Sequence, residues 1–170
     1  LELASRRPIP VVPWDQKRGG LAVFRGSSTN RQRVHLVLRA RAMPELLDAK
    51  LTGWNQRWYF DRKRGIVNPS ASPPRELHGL VGQQHRLNYE QQSAFKVVVI
   101  VCGWSAPDRW VACMQLNCAI LYVKPTGQVE CPDVWFTDLL QEGENYFTVR
   151  PDLSDLRQKL EWCRENDAAC

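Results

Sequence analysis

The chain has 170 residues, a formal net charge of +5 and 24% charged residues. That length suits one domain able to bury its own core, and it excludes a large two-domain enzyme held whole in this stretch. A hydrophobic content of 44% excludes extended disorder. The longest apolar run, Val97 to Cys102, is strand-sized and well short of the roughly 18 residues that a membrane helix needs, so no transmembrane segment is expected. The chain opens on Leu1 without a charged-then-apolar leader, and it reads as a fragment or a processed product.

Residues 1–19 carry Pro8, Pro10 and Pro13 with several arginines; they read as an extended leading segment, with one domain over 20–170. Gly20 to Phe24 reads as a short buried strand. The cluster Ser27-Ser28-Thr29-Asn30 signals a helix start, with the helix over Arg31 to Arg41 and Pro44 beyond it. Leu46 to Leu51 reads as a second strand, interrupted by Asp48 and Lys50. Residues 53–75 form a long polar connection, a length usually tied to function. A helix is expected over Gln83 to Ala94. Lys96 to Val101 is apolar on both faces, as a central parallel strand is. A turn over Cys102 to Asp108 then leads to a helix over Pro107 to Leu116. Further expectations are a strand over Ala119 to Val123, a short helix over Asp133 to Gln141 and a short strand over Tyr146 to Val149. The final helix runs over Leu153 to Asn166, capped by Asp152 or Ser154, with Leu153, Leu156, Leu160 and Cys163 as its buried stripe. Strands alternating with helices predict an α/β fold: a Rossmann-like, mostly parallel sheet with helices on both faces. Ligands of such sheets sit at the carboxyl ends of the strands.

The positive balance fits an anionic partner: nucleic acid, a membrane surface or a phosphorylated small molecule. Trp54 to Phe60, followed by bases up to Arg64, superficially interleaves aromatics with cations as a strand-binding groove would. Nothing else favours a nucleic acid, and none is expected as a partner. Six cysteines stand at 102, 113, 118, 131, 163 and 170, without a CxxC pair, and the histidines are His35, His78 and His85. That spacing does not suit zinc, and no metal is expected. Cys102, Cys113 and Cys118 read as buried free thiols, although an oxidising compartment would permit disulfides. His35 reads as structural; His78 and His85 lie seven apart and belong to no linked motif.

Two strand-to-helix turns are candidates to carry the chemistry, the first reading equally as a plain capped helix. In the first, Arg25-Gly26-Ser27-Ser28-Thr29, Gly26 lets a ligand approach and the hydroxyls and helix N–H groups face an anion, with Arg31 and Arg33 close by. It is neither a Walker loop nor GxGxxG. In the second, Gly103-Trp104-Ser105 leads to Arg109 in the first turn of a helix. A cation there conflicts with the helix dipole, which suggests that it answers to a ligand or pairs with Asp108 or Glu130. At one sheet end, the two turns would clamp a diphosphate.

In order along the chain, Pro13-Trp14-Asp15-Gln16-Lys17-Arg18, Phe24 to Thr29 with Arg33, Leu47 to Thr52, Tyr89-Glu90-Gln91, Val101 to Ala106 with Arg109, and Tyr146 to Leu156 with Trp162, Cys163, Asn166 and Asp167 resemble the protein O-glucosyltransferase family. This is the Rumi-type, KDEL-containing and fungal capsule-associated group of lipopolysaccharide-modifying-like transferases. The resemblance covers most of residues 11–168. It implies the donor-binding half of a GT-B-like glycosyltransferase that moves glucose or xylose from UDP-glucose or UDP-xylose to an acceptor hydroxyl on a protein or glycan. It also implies no metal, no cofactor beyond the UDP-sugar substrate, and the endoplasmic reticulum or Golgi lumen as location. Carried over by position, Arg25 to Thr29 with Arg31 or Arg33 would meet the diphosphate, Arg109 would be its second arginine, and Gly103, Trp104 and Ser105 would flank the nucleotide.

The sequence also departs from the family. Its catalytic aspartate lies in an N-terminal segment not contained here; Asp15, Asp48 and Asp61 do not match it, and no catalytic residue is nominated. Cys102 stands where a polar or acidic residue is common, and Cys118-Ala119 replaces a Gly-Ser. Glu142 to Tyr146 replaces a Pro-Trp-x-His-Tyr stretch. The alternative function is a non-catalytic nucleotide-sugar-binding or interaction module.

Overall fold

The computed structural model describes residues 9–54, 60–61, 65–66, 72–103, 109–126 and 136–169. Its strands are β1 (Arg18–Gly26), β2 (Leu47–Leu51), the two-residue pair β3 (Phe60–Asp61) and β4 (Gly65–Ile66), β5 (Phe95–Val101), β6 (Ala119–Val123) and β7 (Phe147–Val149). Its helices are α1 (Arg31–Ala40), the single turn α2 (Tyr89–Gln92), α3 (Arg109–Met114) and α4 (Leu156–Glu165). Five strands form one sheet in the order β2-β1-β5-β6-β7, and every pairing in it is parallel.

Alternation sorts the side chains to two faces. Ala22, Phe24, Val97, Val99, Val101, Leu121 and Val123 pack with Leu36, Val37 and Ala40 of α1 and with Leu156, Leu160 and Cys163 of α4. Val23, Val98, Ile100 and Ile120 pack on the other side with Trp110, Cys113 and Leu116. The sheet is therefore covered on both sides, as the uniformly apolar β5 requires. This is the predicted α/β architecture. Asp48 and Lys50 do not break β2, because its burial alternates and both project away from the covered face. Asp48 meets Arg25 there.

Three expected elements differ. The helix over Gln83 to Ala94 is a 3-10 turn at Gln83–His85 and the single turn α2. That stretch has too few apolar residues to form a packed stripe, and the Asn88 side chain caps Gln91, restarting the chain at residue 88. His78 and His85 consequently lie on separate short turns. The final helix starts at Leu156, not Leu153. Leu153 is buried with φ at 61°, and neither proposed cap acts on the helix. Asp152 accepts from Ser154 N–H, and Asp155 turns back to accept from Arg150 N–H. The short helix over Asp133 to Gln141 is a 3-10 turn at Thr137–Leu139, and residues 133–135 lie outside the described residues. So does most of the 53–75 connection, including residues 55–59 of the aromatic patch.

The leading segment is fastened at the amino end of the sheet. Lys17 is buried and donates to Ser93 O and, at 3.0 Å, to Leu116 O. Lys96 pairs with Asp167 at 2.6 Å and lies over the Trp14 ring.

The cysteines correct one reading. Cys113 and Cys118 are free thiols, but Cys102 is disulfide-bonded. His35, expected in a structural role, is exposed on α1. Among the described residues no cluster of ligands that could hold a metal occurs, and no helix is long and apolar enough to cross a membrane.

Candidate functional site

The chain runs from β1 outward to β2, then returns past β1 to β5 and continues to β6 and β7. The direction reverses between β1 and β5. In open parallel sheets this reversal opens a crevice at the carboxyl ends of the strands, where ligands bind. Here those ends are Gly26 and Val101, and each leads into one of the two turns singled out above.

Two arginines cross this crevice from opposite sides. Arg33, in the first turn of α1, reaches the end of β5. Its Nε donates to Cys102 O at 3.0 Å, its NH2 donates to Val101 O at 2.9 Å, and its NH1 holds Ser27 O at 3.2 Å. Arg109 opens α3, the helix after β5, and its NH1 donates back to Arg25 O at the end of β1. Arg33 is buried, whereas Arg109 is partly exposed and has no ion-pair partner among the described residues.

The glycines explain how the arginine fits. A Cβ on Gly103 would come within 3.0 Å of Arg33 NH2 and 3.2 Å of Thr29 Oγ1. A Cβ on Gly26 would meet Arg33 NH1 at 3.3 Å. Gly103 thus makes room for the guanidinium and Thr29, while Gly26 is crowded first by the Phe24 ring at 3.1 Å and then by the guanidinium.

Arg25, proposed as an anion contact, is placed differently. It is 7% exposed and donates to His85 O, Phe24 O, Asp48 O and, at 2.6 Å, Asp48 Oδ2. Four of its five N–H groups are therefore on protein acceptors, and it braces the floor of the crevice. Asp48 stands on the adjacent β2, so the partner lies 23 residues away in sequence.

The backbone amides of the first turn are also partly committed. Ser28 N–H donates to Gly53 O at 3.1 Å and Thr29 N–H to Ser27 O at 2.8 Å. Ser28 itself is buried. Thr29 Oγ1, by contrast, is buried without a hydrogen-bond partner, and such a group is costly unless something meets it. Gly26, Ser27, Thr29, Arg33, Gly103 and Arg109 are brought together; Arg31 is exposed on the first turn of α1; Trp104 and Ser105 lie outside the described residues.

Two neighbours were not among the sequence candidates. Asn30 caps α1, its Oδ1 accepting from Gln32 N–H at 2.8 Å. Gln32 ties this turn to the far strands through Lys124 O and Pro151 O. The Ser/Thr/Asn cluster signalled the cap; no local pattern signals Gln32, whose partners lie 92 and 119 residues away. Beneath Arg109, burial pushes the Cys113 thiol up to about 11, with the Arg109 charge pulling the other way. Burial likewise raises Cys118, against the nearby Lys17 ammonium.

A family model described as glycosyl transferase family 90 matches residues 6–170. The chain belongs to glycosyl transferase family 90. A relative in Invertebrate iridescent virus 3, uncharacterized protein 035R, is 36% identical over 94% of this chain and 14% of its own length. Protein O-glucosyltransferase 3 of Rattus norvegicus is 28% identical over 86% of this chain and 24% of its own length. The family 90 chain thus spans under a quarter of either relative. A crystal structure of Anabaena HepE in complex with UDP-glucose superposes with a TM-score of 0.53 at 15% identity, over 89% of this chain and 41% of that one. The shared fold is the Rossmann-like part of a GT-B-like glycosyltransferase, as expected from the sequence.

Proposed function

We propose that this chain is the donor-binding part of a family 90 glycosyltransferase, and that it holds the diphosphate of a UDP-sugar, UDP-glucose or UDP-xylose, in the crevice between β1 and β5. The observation that carries the reading is the convergence of Arg33 and Arg109 from opposite helices on one switch point. Two guanidinium groups there supply the charge-assisted donors that a diphosphate requires. The side chains of Ser27 and Thr29 add hydroxyl contacts, Arg31 adds charge at the rim, and Gly103, Trp104 and Ser105 flank the nucleotide. Arg25 and Ser28 support the loop from within. The transferred sugar goes to an acceptor hydroxyl on a protein or glycan. The name of the rat relative and the UDP-glucose in the HepE crystal both support this reading. The disulfide at Cys102 fits an oxidising compartment such as the endoplasmic reticulum or Golgi lumen.

The test is ligand-dependent thermal stability. A ligand that binds only the native state raises the unfolding midpoint with concentration. UDP is expected to raise it and uridine, which lacks the diphosphate, to leave it unchanged. Equal shifts with both, or none with UDP, contradict the reading.

A further inference from the structure

The first turn of α1 faces two ways. One side carries the loop that the donor reading assigns to the diphosphate. The other is bolted to the distant edge of the sheet by Gln32, which is 3% exposed. Its Nε2 donates to Lys124 O at 2.8 Å, just past the end of β6, and to Pro151 O at 2.9 Å, just past the end of β7. Both amide hydrogens are thereby used, while Gln32 Oε1 remains buried without a partner, as does Asn30 Nδ2. A buried donor and a buried acceptor are thus left unpaired within one turn, a hydrogen-bond arrangement that a shift of the turn can improve.

The far end of the bolt is also under tension. Pro151 leads into a turn in which Leu153 N–H donates to Arg150 O at 2.9 Å and Ser154 N–H to Asp152 Oδ1 at 3.0 Å. Leu153 holds φ at 61° within it, a conformation that a bulky residue keeps only when its surroundings enforce it. That turn launches α4, which packs on the same face as α1.

We propose that Gln32 is a positioning residue that couples donor occupancy of the Gly26–Asn30 loop to the turn between β7 and α4. The inference rests on the donor-binding reading. A diphosphate that settles the first turn of α1 settles, through the Gln32 amide, the two carbonyls that close β6 and β7. The part of the chain that gains order on donor binding is therefore residues 150–154, on the opposite side of β6 from the crevice.

Amide hydrogen exchange with and without UDP tests this, combined with UDP titration of three proteins: wild type, Gln32→Leu and Gln32→Lys. The leucine keeps the bulk and loses both donors; the lysine supplies an ammonium donor on a side chain one atom longer. In the wild type, UDP is expected to slow exchange of Leu153 and Ser154. Gln32→Leu is expected to weaken UDP binding about tenfold, within the usual range of coupling between sites, and to abolish the slowing. Gln32→Lys is expected to restore both. A purely structural role would lower stability without removing the UDP-dependent slowing. Wild-type protein that binds UDP without slowing exchange at 153 and 154 overturns this inference alone. Wild-type protein that does not bind UDP overturns the donor reading and this inference with it. If Gln32→Leu does not fold, the wild-type exchange result still decides, and Gln32→Lys without slowing counts against the coupling.

Discussion

Arg33 and Arg109 cross the same crevice in opposite directions. Arg33 leaves the helix after β1 and ends on the carbonyls of Val101 and Cys102; Arg109 leaves the helix after β5 and ends on the carbonyl of Arg25. Each brings a positive charge to a sheet end where the strand carbonyls already gather. On the donor-binding proposal, these two charges draw the diphosphate to that point.

The position of Gly103 follows from this crossing. Its φ is not in the left-handed region, so Gly103→Ala introduces only a methyl group. That methyl would lie 3.0 Å from Arg33 NH2 and must displace the guanidinium. UDP affinity is expected to fall about tenfold, with a smaller loss of stability of roughly 1 kcal/mol from overpacking. Titration calorimetry and a thermal melt of the same sample separate the two.

Arg25 is expected to act on stability and not on affinity. Arg25→Ala strands three carbonyl acceptors and leaves Asp48 with Lys50 at 4.0 Å in place of its 2.6 Å partner. The cost is expected to be about 2–4 kcal/mol in urea unfolding, below that of a fully buried pair, because the Asp48 side chain keeps 30% exposure. Under conditions where the variant stays folded, UDP affinity should remain within about threefold of wild type.

Alkaline stability is expected to depend on Cys113. Its thiol rises from 9.0 to about 11 on folding, chiefly through burial. Between those values the unfolded chain has released the proton and the folded chain still holds it, so the unfolded state binds fewer protons and stability falls as pH rises. The contribution is intact below pH 9 and is lost progressively toward pH 11, to a depth of roughly 3 kcal/mol. Cys113→Ala should flatten this part of the pH profile measured by urea unfolding, and iodoacetamide should not label Cys113 in native protein at pH 8.

Much of this architecture is legible in the sequence because it is local. The doubly apolar run from Val97 to Val101 can only be a covered strand, and it lies in the sheet interior. Asn30 at the end of a polar cluster does cap a helix. The stripe Leu153, Leu156, Leu160 and Cys163 is buried, although Leu153 belongs to the turn before α4. What failed depended on partners remote in sequence. Gln83 to Ala94 has helix-forming residues but no apolar face to bury. Arg25 resembles an anion ligand until Asp48 is placed on the adjacent strand. Cys102 resembles a core thiol, since a disulfide partner cannot be read from spacing alone. The two glycine turns were both visible, but only the strand order shows that they meet.

The central claim, that the crevice between β1 and β5 holds the diphosphate of a UDP-sugar, is tested most directly by titration calorimetry of UDP into wild type and Arg109→Ala. Arg109 spends one N–H on Arg25 O and is partly exposed. Saturable one-to-one binding by the wild type is predicted, weakened in Arg109→Ala by about 1.5–3 kcal/mol, the usual worth of a hydrogen bond to a charged group. A wild type that gives no binding, or an Arg109→Ala variant that binds as tightly as wild type, would contradict the account.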